Sequence, residues 1–492
     1  MWNMGDMQVE QEILPTELRG RFDFHSKPWK HQLDALQDSI KEKNYALFFE
    51  VGTGKTLTSI LIARSKMAME GRKLKVLVMC PLIVIDNWVK EWKKFSRLKA
   101  EGLVGSGAKV RNAITNSKAD VLIINYDKII QQGVQQFLID RSSDIIIFDE
   151  IHKLKQHDSK RSKAAFAIAK TARYRIGLTG TPILNSPMDL FSQFRCLDLG
   201  QSFGDNFYSF RIKYFRDKNA GMPHGKHFPE WVPRIGAAQA ITKQVAGFSA
   251  HVKKLDCLDL PPLVRETISV ELSTQQRHVY DEVKKDFVSY MDDGTAVVAR
   301  IALTKLQKLL QITTGFVCVE STTTNKKSVK VFPKNPKAEA LRELLEMTIP
   351  SGKVIVWCAF KQNYVEVAAV CKKLKLPYVE VHGAISEKVK FKAVEAFNND
   401  ADTKVFIGHP GSGGIGINLV VAPTSIFYSR SFSLEHDLQA EARNHRGGSE
   451  IHERVTRFDL VAKDTVDEFV LKKLAAKEAI GASMLKEITR EL

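Results

Sequence analysis

The sequence predicts an α/β protein with two parallel-sheet lobes, helical insertions and a C-terminal helical tail. Two series of short apolar runs alternate with longer, helix-like segments, and a stretch with little strand signal lies between the two series. Short apolar runs bounded by polar or turn residues are typical of strands buried in a parallel sheet. Parallel neighbours require crossover connections long enough for a helix, and the intervening segments meet that requirement.

The first series of runs predicts a first lobe within residues 1–199. Beyond it, over residues 200–256, the strand signal fades, aromatic residues, Pro and Gly become frequent, and a helical stretch follows. We interpret residues 200–256 as a helical insertion of the first lobe. The strand candidates of the lobe are Ala46–Phe49, Val76–Met79, Val121–Ile124, Ile145–Phe148 and Ile176–Leu178.

The second series predicts a second lobe over residues 336–465. Residues 257–335 precede it. They contain Leu260-Pro261-Pro262, where the prolines interrupt regular secondary structure, then a strand that enters the second lobe and a helical insertion. Residues 466–492 have the pattern of a helical tail packed back on the body. The strand candidates of the second lobe are Val354–Trp357, Val379–Val381, Val405–Ile407, Ile426–Tyr428 and Val455–Leu460.

Composition favours a polyanionic partner. The 492 residues include 73 Lys and Arg against 56 Asp and Glu, a net charge of +17. Such an excess favours nucleic acid, with a basic but unoccupied surface or a membrane surface as the alternatives. The six cysteines form no C-x-x-C pair, which suits free thiols in a reducing compartment. No apolar run approaches a membrane span, and residues 1–12 lack a signal core, so we expect a cytoplasmic protein, with a nuclear location left open.

A phosphate-binding loop follows the first predicted strand. Gly52-Thr53-Gly54-Lys55-Thr56 lies between Phe48–Val51 and the helix-like segment Leu57–Met69. Glycines let backbone N–H groups curl around phosphate oxygens, and the helix N-terminus adds its positive dipole end. Lys55 is predicted to reach the β- and γ-phosphates of ATP, and the Thr56 hydroxyl to ligate Mg²⁺. The alternative is a glycine turn followed by a surface lysine.

An acidic pair follows the apolar run Ile145–Phe148. Asp149 and Glu150 lie where a buried strand delivers them to its C-terminal edge, the edge at which ligands bind in open α/β sheets. Asp149 is predicted to hold Mg²⁺ and Glu150 to orient and deprotonate the attacking water. The alternative is a pair of acids that only cap a strand or helix. His152 either couples this site to the second lobe or fills an interface.

The second lobe contains two groups of candidate site residues. The glycine-rich run from Gly413 to Leu419 has no phosphate-loop lysine, so it predicts close backbone approach to a nucleic-acid phosphate or to the edge of the ATP site, or else a tight turn. Gln439, Arg443 and Arg446 have the i, i+4, i+7 spacing of one helical face. Such arginines stabilise a transferring phosphoryl group, unless they form an ordinary basic helix face.

In this order the motifs resemble helicase superfamily two and, within it, the Swi/Snf-type DNA-dependent ATPases, in a compact microbial or viral form. The resemblance runs from about Trp29 to Ala476. Glu50 to Thr53 looks more like the general superfamily form, and Gly447-Gly448 stands where Gly-Gln is usual. The segments that carry the resemblance are Lys30–Gln32, Cys80–Trp88, Asn125–Asp127, Asp149–Lys155, Ser159–Ala164, Leu178–Asn185, Gly413–Leu419 and Gln439–Arg446.

The resemblance implies two RecA-like lobes with ATP and Mg²⁺ between them. It implies a motor, functional as a monomer, that moves along duplex or branched DNA in recombination, fork remodelling or repair. The alternatives are a strand-separating helicase on DNA or RNA and a non-catalytic DNA-binding scaffold. The implied ATP-binding residues are Gln32, Gly52, Thr53, Gly54, Lys55, Thr56, Gly414, Gly416 and Gln439. The implied catalytic residues are Lys55, Asp149, Glu150, Arg443 and Arg446. The implied DNA-side residues are Pro81, Trp88, Asn125, Tyr126, Lys361 and Ser412.

Overall fold

A computed structural model describes residues 16–131, 133–184, 186–222, 229–291, 296–320, 327–411 and 417–490 of the chain. These residues divide into two compact units. The first takes its residues from 1–216, 232–258 and 479–492, and the second from 217–231 and 259–478. The longest part of the second unit begins at Asp259, near the start of the segment 257–335 that we predict to lead into the second lobe.

A seven-stranded sheet forms the centre of the first unit. Its strands are β1 (Asn44–Phe49), β2 (Val76–Cys80), β3 (Ala100–Leu103), β4 (Val121–Asn125), β5 (Ile145–Asp149), β6 (Tyr174–Leu178) and β9 (Ser249–Val252). They lie in the order β3-β4-β2-β5-β6-β1-β9, and all neighbours run parallel. The strands between the two edges are buried almost throughout, which explains why each appears in the sequence as a continuous apolar run.

The two edge strands of this sheet are the ones that the sequence analysis missed. Ala100–Leu103 and Ser249–Val252 mix apolar and polar residues and are only partly buried. An edge strand has one unpaired side, so its sequence need not be uniformly apolar. The second of these strands changes our interpretation of residues 200–256, because that segment ends by extending the sheet alongside β1, with Val252 beside Phe49.

Helices surround this sheet, and two short strands, β7 (Phe215–Asp217) and β8 (Trp231–Pro233), form a separate pair. Helix side chains such as Ile60 and Trp92 share a core with strand residues such as Val78 and Ile147. The helices are α1 (Lys30–Ser39), α2 (Lys55–Glu70), α3 (Ile85–Phe95), α4 (Gly107–Asn116), α5 (Val134–Arg141), α6 (Lys160–Ala169), α7 (Asp189–Asp198), α8 (Phe207–Tyr214), α9 (Ala237–Val245) and α10 (Lys254–Cys257).

A six-stranded parallel sheet forms the centre of the second unit. Its strands are β10 (Leu263–Val270), β13 (Val354–Trp357), β14 (Tyr378–Val381), β15 (Val405–Gly408), β16 (Thr424–Phe427) and β17 (Val455–Ala462). They lie in the order β10-β17-β16-β13-β15-β14. An antiparallel pair, β11 (Phe316–Glu320) and β12 (Lys327–Val331), lies within the segment that was predicted to be helical.

The last helix packs back on the second unit, as the sequence predicts. Its residues Val466 and Val470 share a cluster with Tyr280. A buried ion pair adds to this contact, because Lys337 Nζ lies 2.6 Å from Asp467 Oδ2. The helices of the unit are α11 (Thr274–Met291), α12 (Ala296–Thr313), α13 (Pro336–Thr348), α14 (Lys361–Lys373), α15 (Glu387–Asn399), α16 (Leu434–Glu441) and the part of α17 (Val466–Arg490) up to Glu478.

The predicted fold class is therefore confirmed. Each of the predicted strands of both lobes coincides with a strand of one of the two parallel sheets. Within the described part of the chain, no helix has both the length and the apolar character needed to cross a bilayer.

Candidate nucleotide-binding site

The phosphate loop connects β1 to α2 with two glycines in left-handed conformations. Gly52 has φ of 93° and Gly54 has φ of 83°, values that favour glycine. A Cβ atom at Gly54 would lie 2.2 Å from Gln32 Nε2, so a side chain there would displace the Gln32 amide. The loop leads into the N-terminus of a sixteen-residue helix, whose first N–H groups have no intrahelical partner. This is the strand–turn–helix context that anion binding requires.

Lys55 folds back on the loop that precedes it. Its Nζ donates to Phe49 O (2.8 Å) and Glu50 O (3.2 Å). Glu50 O also accepts a 2.8 Å bond from Thr53 Oγ1, and the Thr53 side chain is fully buried. Thr53 therefore contributes its hydroxyl to the shape of the loop, and only its backbone remains for a phosphate.

Helix α1 brings Gln32 against the phosphate loop. Gln32 Oε1 accepts a 2.8 Å bond from Trp29 N, and its Nε2 donates to Gly54 O at 3.3 Å. At the other end of the helix, buried Lys66 of α2 donates to Ser39 O and Ile40 O. Helix α1, which carries the implied ATP-binding residue Gln32, is thus held at one end by the loop and at the other by the helix that follows the loop.

Asp149 ends β5 and is held from two directions. Its Oδ2 accepts a 2.8 Å bond from Trp88 Nε1, and its carbonyl accepts a 2.8 Å bond from Tyr126 Oη. Burial and the neighbouring Glu150 carboxylate raise the pKa of Asp149 to about 6, although the Trp88 bond acts in the opposite direction. No protein donor to Asp149 Oδ1 occurs among the described residues, which leaves this oxygen for a cation.

Three residues that the resemblance implies for the DNA side are buried, and two of them, Trp88 and Tyr126, contact Asp149. Trp88 lies on the buried face of α3 and is 1% exposed, and Tyr126 is 3% exposed. Asn125, at the end of β4, is also buried and accepts a bond from Lys128 N. Since none of these side chains is at the surface, the structure corrects their placement as DNA contacts. Pro81 is half-buried and remains accessible.

Glu150 begins a chain of polar contacts that leads away from the acidic pair. It has φ of 53°, a left-handed conformation that is uncommon for a residue other than glycine. Its Oε2 lies 3.2 Å from His152 Nδ1, and the same nitrogen lies 2.8 Å from Thr179 Oγ1. Buried His152 therefore links Glu150 to the Leu178–Asn185 motif within the first unit.

That motif also reaches the phosphate loop. A Cβ atom at Gly180 would lie 3.1 Å from Phe49 O and 3.4 Å from Val51 N. A side chain at this position would press on the loop backbone, so glycine allows the two segments to approach. The phosphate loop, the acidic pair and the Leu178–Asn185 motif, far apart in sequence, form one site.

The side chains fit ATP and Mg²⁺. Phosphate-bound Mg²⁺ keeps several waters and uses one or two protein ligands plus phosphate oxygens. Thr56 is the second residue of α2 and follows Lys55 directly, and Asp149 Oδ1 supplies a carboxylate oxygen with no protein donor among the described residues. Within the same part of the chain, no group of three or more His, Cys, Asp or Glu residues forms a metal site, and Mg²⁺ of this kind does not need one.

We expect Trp88→Phe to shift the acid limb of the ATPase pH profile to higher pH by about one to two units, because the lost bond to a charged group contributes about 1.5–3 kcal/mol and one pKa unit is 1.36 kcal/mol. The Asp149 carboxylate must be ionised to hold a cation. Since its pKa is already raised to about 6, turnover falls as pH drops through that value. Measuring kcat/KM from about pH 5 to pH 9 tests this. Trp92→Phe, in the same core, is the matched control, and an unshifted acid limb in Trp88→Phe contradicts the assignment.

In the second unit, the predicted common helical face of Gln439, Arg443 and Arg446 is wrong. Helix α16 ends at Glu441, so both arginines follow it in turns. Side chains beyond the helix bind other segments of the unit, with Asn444 Nδ2 donating to a carbonyl of the loop after Leu419 at 3.0 Å. These bonds fix a path that a continuing helix would not follow.

The two arginines have different surroundings. Arg443 is 6% exposed, and its Nη1 donates to Ile417 O at 3.5 Å. Arg446 is only half-buried, and its burial lowers the pKa of the guanidinium. Among the described residues no acidic side chain forms an ion pair with Arg446. Arg446 is thus the better placed of the two to accept an external anion.

The structure describes only some of the other site residues that the sequence predicts in the second unit. Lys361 is the exposed first residue of α14. Gln439 lies in α16 and donates to Glu435 Oε1 at 3.3 Å. The remaining predictions, Ser412, Gly414 and Gly416, lie outside the described residues.

A buried ion network, which the sequence analysis missed, fixes α16. Arg457 of β17 reaches Asp437 and Glu441 of this helix, at 2.7 and 2.8 Å. Arg265 of β10 binds both Glu441 oxygens at 2.8 Å. Breaking such a buried network by removing one partner is costly, so it holds the start of the segment that carries Arg443 and Arg446.

Two family models match the chain. The SNF2-related domain matches residues 30–317, and the helicase conserved C-terminal domain matches residues 336–448. The first match alone spans more than half of the chain, and it includes the phosphate loop, the acidic pair and the Leu178–Asn185 motif. The chain belongs to the SNF2-related family. The resemblance to Swi/Snf-type proteins of helicase superfamily two is confirmed.

Known relatives differ in length. TATA-binding protein-associated factor 172 of Homo sapiens is 28% identical over 89% of this chain but only 26% of its own length, so the chain spans about a quarter of that relative. Putative protein p41 of Acyrthosiphon pisum secondary endosymbiont phage 1 is 26% identical over 95% of this chain and 99% of its own length. A solved structure, the Sulfolobus solfataricus SWI2/SNF2 ATPase core in complex with dsDNA, is 22% identical with a TM-score of 0.44, and the match covers 95% of this chain and 96% of that one.

Proposed function

We propose that this SNF2-related chain hydrolyses ATP and uses the cycle to move, as a monomer, along duplex or branched DNA. The observation that carries the proposal is the convergence of Lys55, Asp149 and Glu150 in one site of the first unit. Each has the chemistry that its predicted role needs: a cation for phosphates, a carboxylate for Mg²⁺ and a carboxylate for the attacking water.

Each side chain has one task in the proposed reaction. Lys55 leaves the carbonyls of Phe49 and Glu50 and binds the β- and γ-phosphates. Asp149, oriented by Trp88, would hold Mg²⁺, and the ion would supply positive charge that neutralises the phosphates. Glu150 takes a proton from the attacking water while His152 orients its carboxylate. Arg446 stabilises the charge that develops on the transferring group.

We propose DNA as the polymer along which the protein moves, because of the family to which the chain belongs and because of its positive net charge. Members of helicase families act on nucleic acids, and the net charge of +17 favours a polyanion. We propose Pro81, Lys361 and Ser412 as residues on the DNA side, while Trp88 and Tyr126 act by positioning Asp149. A role in recombination, fork remodelling or repair follows if branched DNA is the preferred activator.

The test is ATP turnover with single-stranded, duplex, forked and four-way DNA, with RNA as the comparison. We expect duplex and branched DNA to raise turnover strongly and RNA to raise it little, with Glu150→Gln inactive throughout. Triplex displacement without strand separation would support translocation, whereas efficient unwinding would favour a strand-separating helicase. Turnover that no DNA stimulates would end the motor proposal.

A further inference from the structure

Glu50, the residue two positions before Gly52, contacts three parts of the first unit at once. Its N–H donates to Val252 O at 2.9 Å, next to the last register pair between β1 and β9. Its Oε2 accepts a 3.0 Å bond from Lys254 N, at the start of α10. Its carbonyl accepts the bonds from Thr53 Oγ1 and Lys55 Nζ described above. One half-buried residue therefore touches both the phosphate loop and the end of β9.

The segment that Glu50 holds lies where the chain passes from the first unit into the longest part of the second. Residues 253–258, which we name the connector, follow β9 and include α10, and Leu258 is the last residue before the second unit. Leu260-Pro261-Pro262 comes next, and proline fixes backbone φ, so displacement of the connector is not easily absorbed there. A change in the bond to Lys254 N therefore acts on the start of the second unit's chain.

Phosphate binding must alter the contacts of Glu50. In this structure Lys55 Nζ is held by the carbonyls of Phe49 and Glu50, and the same Nζ is the group that reaches phosphates. When it turns to a phosphate, Glu50 O loses a charge-assisted bond, which is among the stronger hydrogen bonds of a protein. Glu50 then keeps fewer constraints on the loop side, so its carboxylate is held less firmly against Lys254 N.

We propose that Glu50 is a positioning residue that transmits the nucleotide state of the phosphate loop to the connector. The proposal rests on the proposed function only for ATP binding at Lys55, and not for movement on DNA. Nucleotide binding loosens the Glu50 backbone, weakens the bond to Lys254 N and frees the connector. In the absence of nucleotide the connector is clamped to the first unit.

The test is hydrogen–deuterium exchange of the full chain, with and without ATPγS and Mg²⁺. In the wild type we expect faster exchange across residues 253–258 when nucleotide is bound. In Glu50→Ala we expect exchange there to be about tenfold faster or more without nucleotide, with no further response, because a hydrogen bond to a charged acceptor is lost. Glu50→Gln keeps an acceptor oxygen and should restore the wild-type response.

Two further variants keep the test decisive. Lys254→Pro removes the donor N–H at a helix position where proline is tolerated, so it should reproduce Glu50→Ala even if that variant folds poorly. Asp256→Asn removes a negative charge from the connector without touching the Glu50 bond, and should respond as the wild type does.

The outcomes separate the two proposals. If ATPγS binds, as measured by displacement of a fluorescent nucleotide, but the wild-type connector does not respond, this inference is wrong and the proposed function stands. A response that persists unchanged in Glu50→Ala and Lys254→Pro also overturns it. If ATPγS does not bind to the wild type, the proposed function itself fails.

Discussion

Glu150→Gln is expected to lower ATP turnover by about 10²–10⁴-fold, the range for loss of a general base, while ATP still binds. Glutamine has nearly the same size and can keep the contact at His152, but it cannot accept the proton of the attacking water. Steady-state turnover with saturating DNA, beside binding of a fluorescent ATP analogue, measures the two effects separately. Asp158→Asn, an exposed acid in the loop after the same strand, is the matched control and should turn over ATP at the wild-type rate.

The position of Glu150 sharpens this expectation. Its left-handed φ of 53° costs free energy for a residue with a side chain, and such strain persists only where the surroundings impose it. Its Oε2 lies 3.2 Å from buried His152. Near-normal turnover in Glu150→Gln would remove the residue from catalysis and leave it a structural link to Thr179.

The sequence was sufficient for the buried parts of the fold. Central strands such as Val76–Cys80 and Ile145–Asp149 are apolar along their length because both faces are covered, and a run of that kind has few other interpretations. The strand at Ser249–Val252 could not be predicted in the same way. It is a partly buried edge strand of four residues, and its membership of the sheet depends on β1, about two hundred residues earlier in the chain.

The sequence predicts the parts of the candidate site whose functional residues are neighbours in the chain. The glycines and the lysine of the phosphate loop are contiguous, and so are Asp149 and Glu150. The bond from Trp88 to Asp149 joins residues that are 61 positions apart, so no spacing rule reveals it. A tryptophan in an amphipathic helix can face either the core or a ligand, and only the packing of α3 decides between them.

Helical periodicity in the sequence predicts the wrong end for α16. The spacing of Gln439, Arg443 and Arg446 suits a continuous helix, yet α16 ends at Glu441. The stop depends on tertiary bonds, including a 2.9 Å contact from His445 Nε2 to the carbonyl of Pro261, and not on a local breaker before Arg443. Gly447-Gly448 lies several residues after Glu441 and so does not mark the end of α16. Helix propensity alone would therefore predict that α16 ends several residues later than it does.

Because α16 ends at Glu441, Arg443 and Arg446 have separate environments. Arg446→Ala is expected to lower turnover by about 10³-fold or more, the lower end of the effect of an arginine that stabilises a transferring phosphoryl group. Arg446 is half-buried, and no ion pair to it occurs among the described residues. Burial lowers the pKa of this guanidinium, and a phosphate would offset the cost of burying its charge.

Two comparison variants decide whether Arg446 acts through its charge or its shape. Arg446→Lys keeps the charge but loses the planar fork of donors, so we expect only a small recovery of turnover. Arg443→Lys alters an arginine that is 6% exposed and bonded to Ile417 O, so we expect it to lower the melting temperature as well as turnover. Turnover numbers, KM for ATP and thermal unfolding should be measured on all three. If Arg446→Ala retains more than about a tenth of wild-type turnover, Arg446 does not contact the transferring phosphate, because loss of such a contact lowers turnover at least a hundred times further.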